Sequence, residues 1–401
     1  MAFAPPQQQH ILAGFFRAAT TATTHGIVAQ TAQTRQHFWS KWQQFLSQFG
    51  HHNPHLPRLT PQQRLDLVQA YAHWVRHGHA GRKNRVGAKR VQQALAAVSA
   101  THQLALQPSP AYQDQARQSY WPALKQQLES YRRDDPPPQR KLAVPISVPH
   151  FIVTQGLHST LPSYQALADL INIAFYFLLR IGEYAYTPQK DRRRTQRFRV
   201  KDVILRRSNQ TIIPNNAPLP VLLTATHATL RITNQKNGWR GQCIHHYCTG
   251  LPTSPIKALA RRVHHILTYT SDPNTCLSTY FTAQHCPHQI RPNHVNTELK
   301  RAVCALGLPA FGITPDLVSS HSLRSGGAMA MHLNGTPTLT IKKQGRWSSN
   351  TFMQYIHEQI GAFTIGVAAK MSRYIPYFNM DARHIHPSII NPPSALEDIP
   401  S

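Results

Sequence analysis

Residues 134–139 read Asp-Asp-Pro-Pro-Pro-Gln, a run through which no helix or inner strand can continue. Successive prolines lack amide donors and hold the backbone extended. The chain must therefore build separate units on either side of this linker, which is assigned to residues 134–149.

On the N-terminal side every apolar pattern is helical. Phe38, Trp42, Phe45, Leu46 and Phe49 recur at helical spacing from Thr34, and Gly50 supplies a stop. Thr60 followed by Pro61 is an N-cap with proline at the first helical position, and Leu67, Val68, Tyr71, Trp74 and Val75 mark one face as far as Gly78. Val91, Ala94, Leu95 and Val98 predict a third helix, and Trp121, Leu124, Leu128 and Tyr131 a fourth. With no strand-like alternation among them, residues 34–133 are expected to form an all-α domain, preceded by a flexible basic arm over 1–33. Beyond the linker the pattern is mixed. A helix ends near Arg180, β-branched runs occupy 199–205, 228–233 and 242–247, and helices resume at Pro255. The second domain is read as α+β over 150–380, followed by a proline-containing tail over 381–401, so the expected fold class is α+β and mainly helical.

Charge narrows the partner. The 401 residues carry 43 Lys+Arg against 16 Asp+Glu, a net charge of +27, while 41% are hydrophobic. That is enough apolar material for a core, so this is a folded basic protein rather than a basic tail, and nucleic acid is the expected partner. The charge is also clustered. Arg82, Lys83, Arg85, Lys89 and Arg90 precede the third helix, where phosphate contacts would position a helix on a duplex. Arg192, Arg193 and Arg194 centre a second run, Lys190 to Arg207, that would repel itself without an anion nearby.

Other classes are disfavoured. The longest apolar stretch, Leu170 to Leu179, contains Asn172 and stops at Arg180, well short of the roughly 20 residues a membrane span needs. Five cysteines, Cys243, Cys248, Cys276, Cys286 and Cys304, are an odd number and follow no secreted disulfide framework, so reduced thiols are expected. Cys243, His245, His246 and Cys248 crowd together, as do His285, Cys286 and His288, but neither group has paired C-x-x-C spacing and no metal is assigned. No acidic residue precedes Asp66, and Phe15, Phe16 and Arg17 lead into a threonine-rich run, a pattern shared by organelle transit peptides and flexible arms.

The most informative residues are ordered along the second domain. Arg180 stands in Leu-Leu-Arg-Ile-Gly-Glu, His321-Ser-Leu-Arg324 precedes Ser-Gly-Gly, Trp347 lies in Gly-Arg-Trp-Ser-Ser, and Tyr355 begins Tyr-Ile. This series resembles the catalytic signature of the tyrosine recombinases, or phage-type integrases. The Gly-Arg-Trp-Ser-Ser form and the Asp-Asp-Pro-Pro-Pro linker are most similar to the Crypton-type recombinases of eukaryotic mobile elements. The Trp347 to Tyr355 interval is one residue shorter than in the commonest bacterial form and follows the eukaryotic-element pattern.

The resemblance covers about residues 34–380 and implies a C-shaped clamp, with a SAM-like core-binding domain joined to a tyrosine recombinase catalytic domain. It implies a DNA strand transferase that needs no cofactor and works as a homotetramer on two duplexes, one dimer per site. For a eukaryotic element it implies a nuclear location, with an organelle as the other address. Tyr355 would attack the scissile phosphorus and form a 3′-phosphotyrosine that a 5′ hydroxyl later reseals without ATP. Arg180 and Arg324 would clamp the non-bridging oxygens with permanently charged forks, a role lysine fills poorly. His321, on the helical face of Arg324, would exchange a proton with the attacking phenol. Lys236, in Thr-Asn-Gln-Lys-Asn-Gly between two predicted strands, matches the hairpin lysine that protonates the leaving oxygen. Trp347 would donate its indole N–H to a phosphate oxygen while packing the site, and Glu183 would support the arginines from behind. Tyr374 and Tyr377 are fallback nucleophiles.

Gly326 and Gly327 would be costly inside a helix, by about 1 kcal/mol each relative to alanine, unless another backbone or DNA approaches closely, of which close packing is the simpler explanation. Two further readings use the same residues. One is a catalytically decayed or domesticated DNA-binding protein, and the other a type IB topoisomerase-like enzyme that relaxes supercoils as a monomer.

Overall fold

The structure is a computed structural model that describes residues 9–27, 29–81, 84–137, 141–188, 195–233, 241–349, 353 and 367–372. Among the described residues no helix is long and apolar enough to cross a membrane.

Four helices of the N-terminal unit converge on one aromatic centre. Ala29–Ser47 (α2) brings in Phe38, Trp42, Phe45 and Leu46, and Pro61–Arg76 (α3) brings Val68, Tyr71 and Val75, all essentially buried. Trp42 meets Tyr71 edge to face at 5.0 Å, and the two polar atoms this buries are satisfied. The Trp42 indole donates to the Pro54 carbonyl (3.0 Å) and the Tyr71 hydroxyl to the Phe38 carbonyl (3.1 Å). The predicted Thr60 start is a full capping box, in which the Thr60 hydroxyl accepts from the Gln63 amide and the Gln63 side chain accepts from the Thr60 amide. Ala88–Leu104 (α4) and Pro122–Asp134 (α5) close the core with Val91, Leu95, Leu124 and Leu128.

Two expectations for this unit are corrected. Residues 9–25, expected to belong to a flexible arm, form a helix, Gln9–His25 (α1), because Ile11, Leu12, Phe15 and Phe16 recur at helical spacing among alanines. The domain is also not all-α. Tyr112–Asp114 (β1) and Ser119–Tyr120 (β2) pair antiparallel between α4 and α5. The Asp114 carboxylate accepts the Arg117 amide in the turn and Gln118 sits at φ 52°, local bonding too short to leave an alternating pattern.

The linker acids have definite partners. Asp135 pairs with buried Arg76 and accepts the Ala88 amide at 2.7 Å, so its carboxylate caps the start of α4. Burial pushes this carboxyl up, but the Arg76 bond, the amide and the neighbouring arginines outweigh burial and hold it below its usual value.

After the linker, Ser147–Leu157 (α6) and Pro162–Tyr176 (α7) pack together, and α7 is buried from Ala166 to Phe175. A helix apolar on every side belongs in the middle of a core. Its buried Asp169 is held through three bonds by Arg261 of Pro255–Tyr269 (α10), and burial keeps that carboxyl above its usual range. Between these helices lie Ile181–Tyr184 (α8), Val203–Arg206 (β3), Ile212–Ile213 (β4), Leu219–Leu222 (α9), His227–Arg231 (β5) and Cys243–Tyr247 (β6). The strands form an antiparallel sheet ordered β4-β3-β5-β6, with Val203 opposite Leu230 and Leu230 opposite Ile244. Thr279–Phe281 (β7), Pro287–Gln289 (β8), Pro292–Ala305 (α11), Ser320–Leu333 (α12), Thr338–Gly345 (α13) and Val367–Met371 (α14) complete the described chain. The fold is mainly helical with small sheets, in agreement with the expected class.

Candidate active site

The helix expected to end near Arg180 stops earlier. α7 closes at Phe177, Leu178 turns the chain at φ 49°, and Arg180 becomes the extended N-cap of the one-turn α8. The reason is local. Glu183, three residues on, accepts the Arg180 amide at 2.9 Å and the Arg180 guanidinium at 3.4 Å, so the side chain is fixed to its own turn. Glu183 is 1% exposed, whereas 27% of the Arg180 side chain reaches solvent. An arginine whose guanidinium is held by a buried carboxylate while part of its side chain reaches solvent is placed to meet an anion.

α12 supplies the second group. Ser319 and Ser322 cap its start reciprocally, which places His321 in the first turn and Arg324 one turn inward. Gly326 and Gly327 explain how the helix comes so close. A Cβ on Gly326 would lie 2.2 Å from the Val144 carbonyl oxygen, and one on Gly327 would lie 2.4 Å from the Phe175 carbonyl oxygen. Close packing, rather than DNA, accounts for both glycines.

Arg324 is 1% exposed and donates to the Leu178 and Gly345 carbonyls. Its guanidinium lies 4.5 Å over the ring of Trp347, itself 8% exposed, so cation–π stacking joins the two. The sequence reading made Arg180 and Arg324 equivalent clamps. The structure makes them unequal, one at the surface and one buried beneath it. His321 lies at the exposed end, and partial burial, then the charges of Arg324 and Arg180, hold its imidazole below its usual value. The ring is therefore neutral at pH 7 and able to accept a proton.

Arg346 is the member the sequence reading missed. It is 2% exposed, adopts φ 58° at the end of α13, and donates to Glu183 Oε2 (3.0 Å) and to the Leu178 carbonyl (2.8 Å). The Gly-Arg-Trp motif drew attention to its tryptophan, and nothing in the sequence marks the arginine between as a partner of Glu183. Three segments, 178–183, 321–324 and 345–347, thus meet around one carboxylate and one carbonyl.

Lys236 and Tyr355 lie outside the described residues, as do the fallback Tyr374 and Tyr377, although β5 and β6, which flank Lys236 in sequence, pair as a ladder. Of the basic residues assigned to DNA, Arg82, Lys83, Arg192, Arg193 and Arg194 also lie outside them. Lys89 is exposed, Arg90 stacks over Phe38 at 4.4 Å, and Arg85 is paired with Asp134 at 2.7 Å with both partners about half exposed. In the cysteine and histidine cluster, His246 turns inward and donates to the Tyr176 carbonyl (2.7 Å), while Cys243 faces solvent.

No family model matches the chain, and no curated protein matches it. Solved structures do. The Tn1549 transposon integrase in complex with transposon right end DNA superposes with a TM-score of 0.44 at 14% identity, over 88% of this chain and 98% of that one. A λ integrase dimer bound to a COC′ core site gives 0.43 at 14%, over 92% and 98%. The XerH site-specific recombinase bound to a palindromic difH substrate gives 0.45 at 12%, over 79% and 73%. At these scores the roles assigned below rest on the side chains of this chain alone.

Proposed function

We propose that the chain is a site-specific DNA recombinase of a mobile element, a tyrosine-type strand transferase that cuts and rejoins double-stranded DNA through a 3′-phosphotyrosine. The observation that supports it is the meeting of Arg180, Glu183, His321, Arg324 and Trp347 around one point, although they are spread from residue 180 to residue 347.

The chemistry follows from the groups. Arg180, whose side chain is partly exposed, takes one non-bridging oxygen of the scissile phosphate, and charge developing there is stabilised by a donor already in place. Arg324 is 1% exposed, so reaching the same phosphate requires its guanidinium to move, and closure on DNA includes release of a carbonyl bond. His321, neutral at pH 7, accepts the phenol proton as the Tyr355 oxygen bonds to phosphorus. The bond from phosphorus to the 5′ oxygen breaks, and Lys236 supplies the proton that the leaving oxygen needs. Resealing reverses each transfer, so no external energy source is required.

The same proposal carries a homotetramer on two duplexes and action in the nucleus, both drawn from the resemblance to Crypton-type recombinases. Incubation with nicked duplexes tiled across the DNA flanking the protein's own gene tests the central step. A covalent protein–DNA adduct on denaturing gels that Tyr355→Phe abolishes is expected. Salt-sensitive binding with no adduct on any tile would instead indicate the decayed DNA-binding protein, and supercoil relaxation by a monomer would indicate the topoisomerase.

A further inference from the structure

We propose that Arg346 is a positioning residue for phosphate neutralisation, which sets Arg180 and Arg324 without touching DNA. The inference rests on the strand-transferase reading and adds a group to it. The Arg346 guanidinium donates to the buried Glu183 carboxylate, so its charge is already matched within the protein and acts there.

Its two bonds go to the two acceptors on which the other arginines depend. Glu183 Oε2 takes Arg346 at 3.0 Å and the Arg180 amide at 2.9 Å, while the other carboxylate oxygen takes the Arg180 guanidinium at 3.4 Å. A carboxylate free to rotate would let Arg180 swing, and Arg346 fixes it. The Leu178 carbonyl accepts both Arg346 and Arg324, so Arg346 continues to satisfy that carbonyl when Arg324 lets go to meet DNA. Without it, releasing Arg324 would leave a carbonyl without either donor.

The neighbours of Arg346 reinforce the reading. Gly345 offers its carbonyl to Arg324 and Trp347 stacks on Arg324, so the three consecutive residues 345–347 all bear on the two arginines. Two non-glycine residues in the left-handed region, Leu178 (φ 49°) and Arg346 (φ 58°), face each other through the 2.8 Å bond. Such backbone is retained where the surroundings hold it, and here each end of the bond is held by the other.

The test uses the full chain and a nicked duplex that wild type cleaves, made with the natural phosphate or with a methylphosphonate at the scissile position. The methylphosphonate is uncharged and needs less neutralisation. Arg346→Met is expected to slow single-turnover adduct formation about 100-fold on phosphate, as for a misplaced catalytic group, with DNA affinity within about twofold of wild type. The loss should shrink to about tenfold or less on methylphosphonate. Glu183→Gln with Arg346→Met should lose less than the product of the two single losses, because the two residues share one bond. Arg346→Lys, which keeps the buried charge but cannot bridge both acceptors, covers the case in which Arg346→Met fails to fold, and should show the same substrate dependence. An equal loss on both substrates, or wild-type rates in Arg346→Lys, would overturn the role of Arg346 while leaving strand transfer intact. No adduct from wild type itself would overturn the strand-transferase reading and the role with it.

Discussion

His321 carries the most specific consequence at the scale of single residues. Partial burial and the charges of Arg324 and Arg180 lower its pKa, so the ring stays a proton acceptor at a pH where an ordinary histidine is half charged. The acid limb of the cleavage rate against pH should therefore have its midpoint below 6.5, and His321→Gln should remove that limb. A limb at or above 6.5 would assign the titration to another group. Gly326 makes a prediction of opposite kind. Alanine improves intrinsic helix propensity, but its Cβ would sit 2.2 Å from the Val144 carbonyl oxygen. Gly326→Ala should lower stability to thermal or urea unfolding by about 1–3 kcal/mol, the cost of overpacking, instead of raising it.

Among the elements, the start of α4 depends on a residue from the end of α5. Asp135 caps the Ala88 amide and pairs with Arg76, whose guanidinium also donates to the Val86 carbonyl at 2.6 Å and the Tyr131 carbonyl at 3.2 Å. Asp135→Ala leaves a buried guanidinium without its counter-charge and should cost the N-terminal unit about 3 kcal/mol, read by urea unfolding. Exchange of the exposed Asp134 for asparagine should be nearly neutral, since half-exposed ion pairs contribute at most about 1 kcal/mol. These elements also show what a sequence displays and what it conceals. The Thr60 cap, the apolar faces of α2 to α5 and the strands around 203, 228 and 243 follow from local spacing, and the structure has them. Hidden were the contacts made across sequence. The Asp135 cap joins residues 88 and 135, the β1–β2 pair is held by one turn, and Arg346 finds Glu183 from α13. The site residues could be named because their motifs and order resemble the tyrosine recombinase signature. The burial of Arg324 could not, because the carbonyls of Leu178 and Gly345 leave no trace in residue type.

For the molecule as a whole, charge and buried histidines set opposite responses to solution conditions. A net charge of +27 on a folded chain predicts DNA binding whose log affinity falls linearly with log salt, steeply for a surface meeting several phosphates. Titrating salt at fixed DNA checks this, and a flat response would argue against a phosphate-tracking surface. Burial is the main force that lowers both His246 and His265, each to about 4. The unfolded chain then binds more protons than the folded one between about pH 6.5 and pH 4, so stability of the C-terminal unit is lost as pH falls through that window. The two together should contribute on the order of 2 kcal/mol after allowance for solvent, and His246→Gln should flatten the profile.

The proposed function turns on one bond, between a tyrosine oxygen and a 3′ phosphate. The most direct measurement is peptide mapping by mass spectrometry of the adduct trapped on a nicked duplex. The expected result is a single modified peptide with the 3′ phosphate on Tyr355. A phosphate on any other residue, Tyr374 or Tyr377 included, or a duplex that binds and is never joined, would contradict the account.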